Sequence, residues 1–292
     1  MKKFTLKGKI FPIIIWTSVL IWTVVLLSMF LWAFLSSVKD IGDFRRNPMG
    51  LPDMKYGWKF SNYVTAINSI QYQINGVTYR FQHMLVNSIV FSVGNAVASV
   101  VTACVAAYII AKYNYIGWVQ RMWIIVLLTN YLPVSASLAS NIKLLKDLGL
   151  FDSMIGNILW SCGAFGSVFL IYYATWKSIP WEYAEAAFID GAGHFRTMVT
   201  IMIPMTLTIF GVLCLSQFIL KWNDYMTPIL YLPSYPTISF GAWQFQFSTD
   251  PQTALVPVQL AGLLVIAFPV LIIFLIFKNK LMGSLTMGGL KG

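Results

Sequence analysis

Charged residues divide the chain into long apolar stretches. Residues 10–38, 81–111, 122–142, 153–176, 197–220 and 251–277 contain no Lys, Arg, Asp or Glu. Each is at least as long as the ~20 residues an α-helix needs to cross hydrocarbon. A helix is also the form that satisfies its own backbone in lipid. A seventh charge-free window, 225–249, holds Pro228, Pro233 and Pro236 with Gln244 and Gln246, which predicts a surface loop or a broken re-entrant segment. The pattern therefore predicts an all-α integral membrane protein, one transmembrane domain over 1–292. Its six spans fall at about 10–37, 84–111, 121–141, 154–176, 198–220 and 254–277, with an extracytoplasmic loop at 38–83 and a cytoplasmic loop at 178–200.

Composition agrees. Hydrophobic residues make up 58% of the 292 and charged residues 10%, where a soluble domain carries roughly a quarter charged. The net charge of +10 contains no basic run longer than a pair, which argues against a nucleic-acid surface. With the N-terminus inside, the cytoplasmic segments sum to +8 and the outer ones to +2, as the positive-inside rule requires. Lys2 to Lys9 before the first span, and Lys278 with Lys280 after the last, put both termini in the cytoplasm. The basic start resembles a signal peptide, but the apolar stretch behind it is too long for one.

The same pattern narrows the chemistry. Cys104, Cys162 and Cys214 all fall inside spans, without a CxxC pair, so neither a metal nor a redox site is indicated. No ionisable residue lies near a span centre, where a coupling ion would have to bind. No catalytic set or phosphate-cradling loop is present. The expectation is a transport protein, not an enzyme, whose energy comes from another subunit.

The loop at 178–200 stands apart. Pro180 suits a first helical turn, and Glu182 and Glu185 favour the positive end of a helix dipole. Trp181, Ala184 and Phe188 recur on one apolar face. Gly191 and Gly193 end the helix, and Asp190 is a candidate cap for a second short one. This predicts a helix–turn–helix too short to span, whose apolar face is covered by a partner or by lipid headgroups.

Glu185-Ala186-Ala187, Gly191, Ile201 and Ile203-Pro204 stand at the spacing EAA-x3-G-x9-I-x-L-P, with Ile203 for Leu. The stretch resembles the EAA signature of permease subunits of binding-protein-dependent ABC importers, in the form typical of the carbohydrate branch. The tail Leu285–Gly292 is similar to the G-x-V-K-G end of the maltose-type inner permease, with Leu290 for Val. Lys221 to Pro228 resembles that family's WN-[DE]-[FY]-x-x-P stretch.

The resemblance implies half of an alternating-access pathway for a sugar or oligosaccharide in a bacterial cytoplasmic membrane. Its partners would be a second permease, two ATPase subunits that hold ATP and Mg, and an extracytoplasmic binding protein; this chain would carry no cofactor or metal. Residues 178–200 become a coupling helix pair between spans four and five, with Glu182, Glu185, Ala186, Ala187, Asp190, Gly191 and Pro204 facing or shaping the ATPase contact. Gly288, Gly289, Lys291 and Gly292 would reach the same interface. Candidate pathway residues are Asn87, Asn130, Tyr131, Gln217, Trp222, Asn223 and Tyr225, polar or aromatic groups of the kind that hold sugars. The alternatives are the same machine with a non-sugar cargo, or a self-contained channel or secondary carrier.

Overall fold

The computed structural model describes residues 7–74, 76–131, 138–163, 166–248, 250–251 and 253–287. Helix α1, Lys7–Ser37, is 31 residues long, about 46 Å at 1.5 Å per residue. Every side chain from 11 to 30 is exposed although the segment is strongly apolar, the state of a helix whose solvent is lipid. Its hydroxyls turn inward on their own helix: Thr17 donates to the Ile13 carbonyl at 2.8 Å and Thr23 to that of Val19 at 2.8 Å.

The segment predicted as an outer loop is folded. It holds α2 (Ile41–Arg46), α3 (Ser61–Ser69) and an antiparallel hairpin of β1 (Gln71–Ile74) and β2 (Val77–Arg80). The fold is mostly helical as expected, and this hairpin is an addition to it; Gly76, at φ 78°, supplies the left-handed residue its turn requires. Asp40 caps α2 through the Gly42 N–H at 2.7 Å and pairs with Lys59. Asn62 of α3 donates to the Ser37 and Lys39 carbonyls at 2.8 and 2.9 Å, tying α3 to the end of α1.

The remaining helices are α4 (Phe81–Lys112), α5 (Gly117–Tyr131), α6 (Leu138–Asp147), α7 (Met154–Trp160), α8 (Ser167–Ser178), α9 (Glu182–Ile189) and α10 (His194–Thr197). A π-turn at Met198–Met202 follows, then α11 (Ile203–Met205), α12 (Leu207–Trp222), α13 (Met226–Tyr231), α14 (Ile238–Gln246) and α15 (Val256–Met287). The window at 225–249, read as a surface loop or a broken re-entrant segment, carries two short helices.

The chain divides into two compact units, residues 1–70 with 244–268, and residues 71–243 with 269–292. In the first, Gly262 of α15 lies so close to Phe245 that a Cβ there would sit 2.8 Å from its ring. In the second, α4 is the central helix and packs against α7, α8 and α12. Its small residues Ala96, Ala103 and Ala107 are buried, which allows close helix approach. Trp176 of α8 donates from its indole to the Cys104 carbonyl at 3.1 Å.

Among the described residues, three helices are long and apolar enough to cross a membrane: 11–37, 81–112 and 256–276. A fourth candidate is the bent pair 194–205 and 207–222, which turns by 75°. Of the other two sequence windows, 121–141 holds the described part of α5, as far as Tyr131, and the start of α6 at Leu138, and 154–176 is broken into α7 and α8.

Candidate functional site

Helix α9 forms where the sequence places it, with Trp181 at its N-cap and Pro180 just before. Ala184 and Ala187 are buried, and Trp181 and Phe188 pack beside Ala184 in a core with Tyr172, Trp176 and Met202. The apolar face is therefore covered by this chain itself. Glu182, Glu185, Ala186, Asp190 and Gly191 are all exposed on the other side. Among the described residues the ion pairs are Lys59–Asp40 and Lys221–Asp224, so none of these three acids is neutralised by a salt bridge. Tyr183, Ile189 and Phe195 are exposed beside them at 50%, 86% and 75%. The result is an acidic and apolar surface.

The end of α9 explains Gly191. The Gly191 N–H donates to the Phe188 carbonyl at 3.0 Å and the Ala192 N–H to the Ala187 carbonyl at 2.9 Å, the 5→2 and 6→1 pair of a Schellman turn. Gly191 sits at φ 80°, where a side chain is strained. Asp190 is the C-cap of α9 and not a cap for the next helix; Gly193 precedes α10 instead. Three residues separate Asp190 from His194, the first residue of α10, so Asp190 does not stand at the cap position.

Pro204 follows the π-turn and sits at the head of α11. It has no N–H to continue the ladder. Thr206 closes the break, its N–H and hydroxyl both donating to the Ile203 carbonyl at 2.9 Å. This is the site of the 75° bend. Gly288, Gly289, Lys291 and Gly292 lie outside the described residues.

The proposed pathway residues separate. Asn87 donates to the Pro236 carbonyl at 3.0 Å, holding α4 to the segment before α14. Gln217 is half-buried on α12. Trp222 is buried against Ala96 and Phe218, so its face is closed to a ligand: four residues from Phe218, it belongs to the apolar stripe of α12. Asn223 is exposed and back-bonds to the Ile219 carbonyl at 2.8 Å. Asn130 and Tyr131 end α5, and their side chains lie outside the described part.

Tyr225 is 37% exposed and lies parallel to Trp243, with ring centroids 5.9 Å apart and planes 9° apart. Phe240 backs Trp243 at 6.4 Å and 21°. Trp243 was missed because its window was read as a surface loop or a broken re-entrant segment, with no helix face assigned. The signal for it was Phe240 and Trp243 at helical spacing. A cavity of about 420 Å³ between α4, α12 and α15 is lined by Val93, Ala96, Val97, Phe210, Leu215 and Ile273 among others. Such walls suit hydrocarbon and offer a hydroxylated ligand little to bond.

No protein-family model matches the chain. It is 25% identical over 276 residues to the diacetylchitobiose uptake system permease NgcG of Streptomyces coelicolor, covering 92% of this chain and 85% of that one. It is 29% identical over 246 residues to the sn-glycerol-3-phosphate transport system permease UgpE of Agrobacterium fabrum, with 84% and 85% covered. It is 27% identical over 212 residues to the maltodextrin transport system permease MdxG of Bacillus subtilis, with 70% and 74% covered. Over most of its length the chain resembles permease subunits of ABC importers, sugar systems among them. It also shares its fold with a chain in the crystal structure of a bacterial ABC transporter involved in the import of the acidic polysaccharide alginate. There the TM-score is 0.77 at 19% identity, over 96% of this chain and 99% of that one.

Proposed function

We propose that the permease is one transmembrane half of an ATP-driven, binding-protein-dependent importer for a sugar or oligosaccharide, seated in the cytoplasmic membrane of a bacterium. The observation that carries this reading is the outward face of α9 and α10. Glu182, Glu185 and Asp190 stand there without ion pairs beside exposed Tyr183, Ile189 and Phe195. Charged and aromatic groups on a rigid turn form a surface suited to a protein cleft.

An ATPase subunit is the proposed occupant. Glu185 offers a carboxylate to a basic or amide group, Ala186 permits close approach, and Gly191 sets the turn. When two ATPase subunits close on ATP and Mg, they would draw this surface and its counterpart on a second permease together. The pathway between the two permeases would then open toward a docked binding protein. The permease itself hydrolyses nothing. The tail residues Gly288 to Gly292 belong to the same proposed interface.

Six spans with both termini cytoplasmic fit this assembly. The contacts of α4 bear on the directions of two of these spans. Its first turns bond to residues 236–238, which follow α12. Its last residue, Lys112, donates to the Ile179 carbonyl, which precedes α12. The two ends of α4 thus accompany segments on opposite ends of α12.

Diacetylchitobiose, maltodextrin and alginate in the names of the similar proteins favour a saccharide cargo. The sn-glycerol-3-phosphate systems keep a phosphorylated polyol as the second reading. Purification in mild detergent tests the class. A second permease and an ATPase should accompany the chain, and ATP hydrolysis should rise when the cognate binding protein is added. A chain that purifies alone and moves solute alone would be a channel or carrier. A thermal-shift screen of the binding protein against oligosaccharides and glycerol phosphates separates the cargoes.

A further inference from the structure

The inner face of α9 and α10 meets α4 through a closed ring of aromatic contacts. Tyr113, the C-cap of α4, lies edge-on to Trp181 at 5.7 Å, and Trp181 lies at 5.9 Å from Phe188. Phe188 lies at 4.7 Å from His194, which returns to Tyr113 at 5.6 Å. The Tyr113 hydroxyl and His194 Nδ1 share a hydrogen bond of 2.8 Å across 81 residues of sequence. One residue of α4 therefore grips α9 at its start and α10 at its first position. Lys112 adds its bond to the Ile179 carbonyl just before α9.

The other contacts of α9 are of a different kind. Ala184 and Ala187 are buried, but such small apolar surfaces are non-directional and allow sliding. A hydrogen bond fixes direction and register. Burial holds the Tyr113 hydroxyl above its ordinary pKa, so at neutral pH it remains a phenol able to donate to His194. Helix α4 in turn packs against α7, α8 and α12.

We propose that Tyr113 and His194 are positioning residues that clasp α9 and α10 to the cytoplasmic end of α4, so that a force on the outer face of α9 moves α4 and is not lost in local bending. The clasp is part of this chain, but its role in transport rests on the reading of α9 and α10 as the ATPase-docking surface. If the clasp opens, the docking surface keeps its chemistry and loses its lever.

Two measurements test it. The first uses the purified complex in lipid nanodiscs and reads ATP hydrolysis with binding protein divided by hydrolysis without it. Tyr113→Phe keeps the ring and removes the hydroxyl, and His194→Ala removes the partner. Each should lower the ratio about fivefold, the equilibrium factor of one ordinary hydrogen bond. The double variant should be no worse than either single one. His194→Asn places an amide where Nδ1 stood and should keep most of the ratio. A ratio unchanged in both single variants would overturn the proposal, as would simple multiplication of the two losses.

The second uses the full chain in detergent and reads amide exchange. Residues 182–197 should exchange about fivefold faster in Tyr113→Phe, with 95–107 of α4 unaffected. Equal exchange in variant and wild type would overturn the clasp even where hydrolysis changes. A wild-type complex without binding-protein stimulation would count against the docking assignment, and amide exchange would still decide the clasp.

Discussion

At the scale of single residues, backbone conformation and charge decide more than contact area. A Cβ on Gly191 would meet nothing within 4 Å, so steric room is not what requires glycine. The requirement is its φ of 80°, which costs an L residue about 1–2 kcal/mol. Gly191→Ala is expected to destabilise the end of α9 by about 1 kcal/mol, and Gly191→Asn by less, since Asn enters this region more readily. Faster amide exchange at Asp190 to Ala192, graded Ala over Asn, is the check; equal rates would show that the turn relaxes. Asp40 is a second case. The Lys59 ammonium, and after it the Gly42 N–H, hold its carboxyl below the usual carboxylate range. The folded pKa is thus below the unfolded one, and the contribution of Asp40 is complete above the unfolded value and lost as pH falls through the folded one. Protection of the amides at 42–44, corrected for intrinsic rate, should fall below about pH 4. In Asp40→Asn it should start lower and stay flat across that window. Salt should weaken the wild-type contribution too, because the Lys59 side chain is half-exposed.

At the scale of elements, the bend at Pro204 is the feature with the largest mechanical consequence. The arms at 194–205 and 207–222 meet at 75°, after a π-turn and at a residue without an N–H. Pro204→Ala restores the donor and should open the bend toward a straight helix. Spin labels at the exposed positions Arg196 and Ser216 would then move apart by up to about 6 Å, at 1.5 Å per residue along each arm. An unchanged distance would assign the bend to the π-turn and Thr206 alone. The elements also mark what could be read from residues. Helices α1, α4 and α15 followed directly from their charge-free windows, and α9 from its apolar period and glycine stop. A charge-free window shows where a helix is tolerated in lipid, not that the backbone stays helical throughout. Thus 154–176 is interrupted before Gly166, whose φ of 118° suits glycine. The hairpin and short helices of 38–83 depend on pairings such as Asn62 with the Ser37 carbonyl, which no local pattern announces. At the candidate site, the acids of α9 were legible by type and position. The burial of Trp222 was not, because it depends on Ala96, far along the chain; Trp243 was legible only through its spacing to Phe240.

At the scale of the molecule, the question is how many times the chain crosses the bilayer, and one contact bears on it. Asp152, between α6 and α7, accepts the Ser234 N–H at 2.9 Å and its hydroxyl at 2.7 Å, while its own N–H donates to the Tyr231 carbonyl at 3.0 Å. Residues 231–234 follow α12, and Lys112 and Tyr113 are bonded to Ile179 and His194, which precede it. If only α1, α4, the bent pair and α15 crossed, residues 113–193 would all lie on the cytoplasmic side, and 223–255 on the other. Asp152 could not then touch Ser234. Crossing by α5, and again by the α7–α8 segment, would bring Asp152 to the outer side, as in the six-span arrangement proposed above. Exposed Leu148, four residues before Asp152, separates the two counts. In a background with Cys104, Cys162 and Cys214 replaced, Leu148→Cys should react with a membrane-impermeant maleimide added to intact cells. Met54→Cys, in the folded segment after α1, should react likewise, and Glu185→Cys on α9 only after permeabilisation. Protection of Leu148→Cys with labelling of Met54→Cys would leave four spans. Labelling of Glu185→Cys in intact cells would reverse the orientation and, with it, the side on which an ATPase could meet α9.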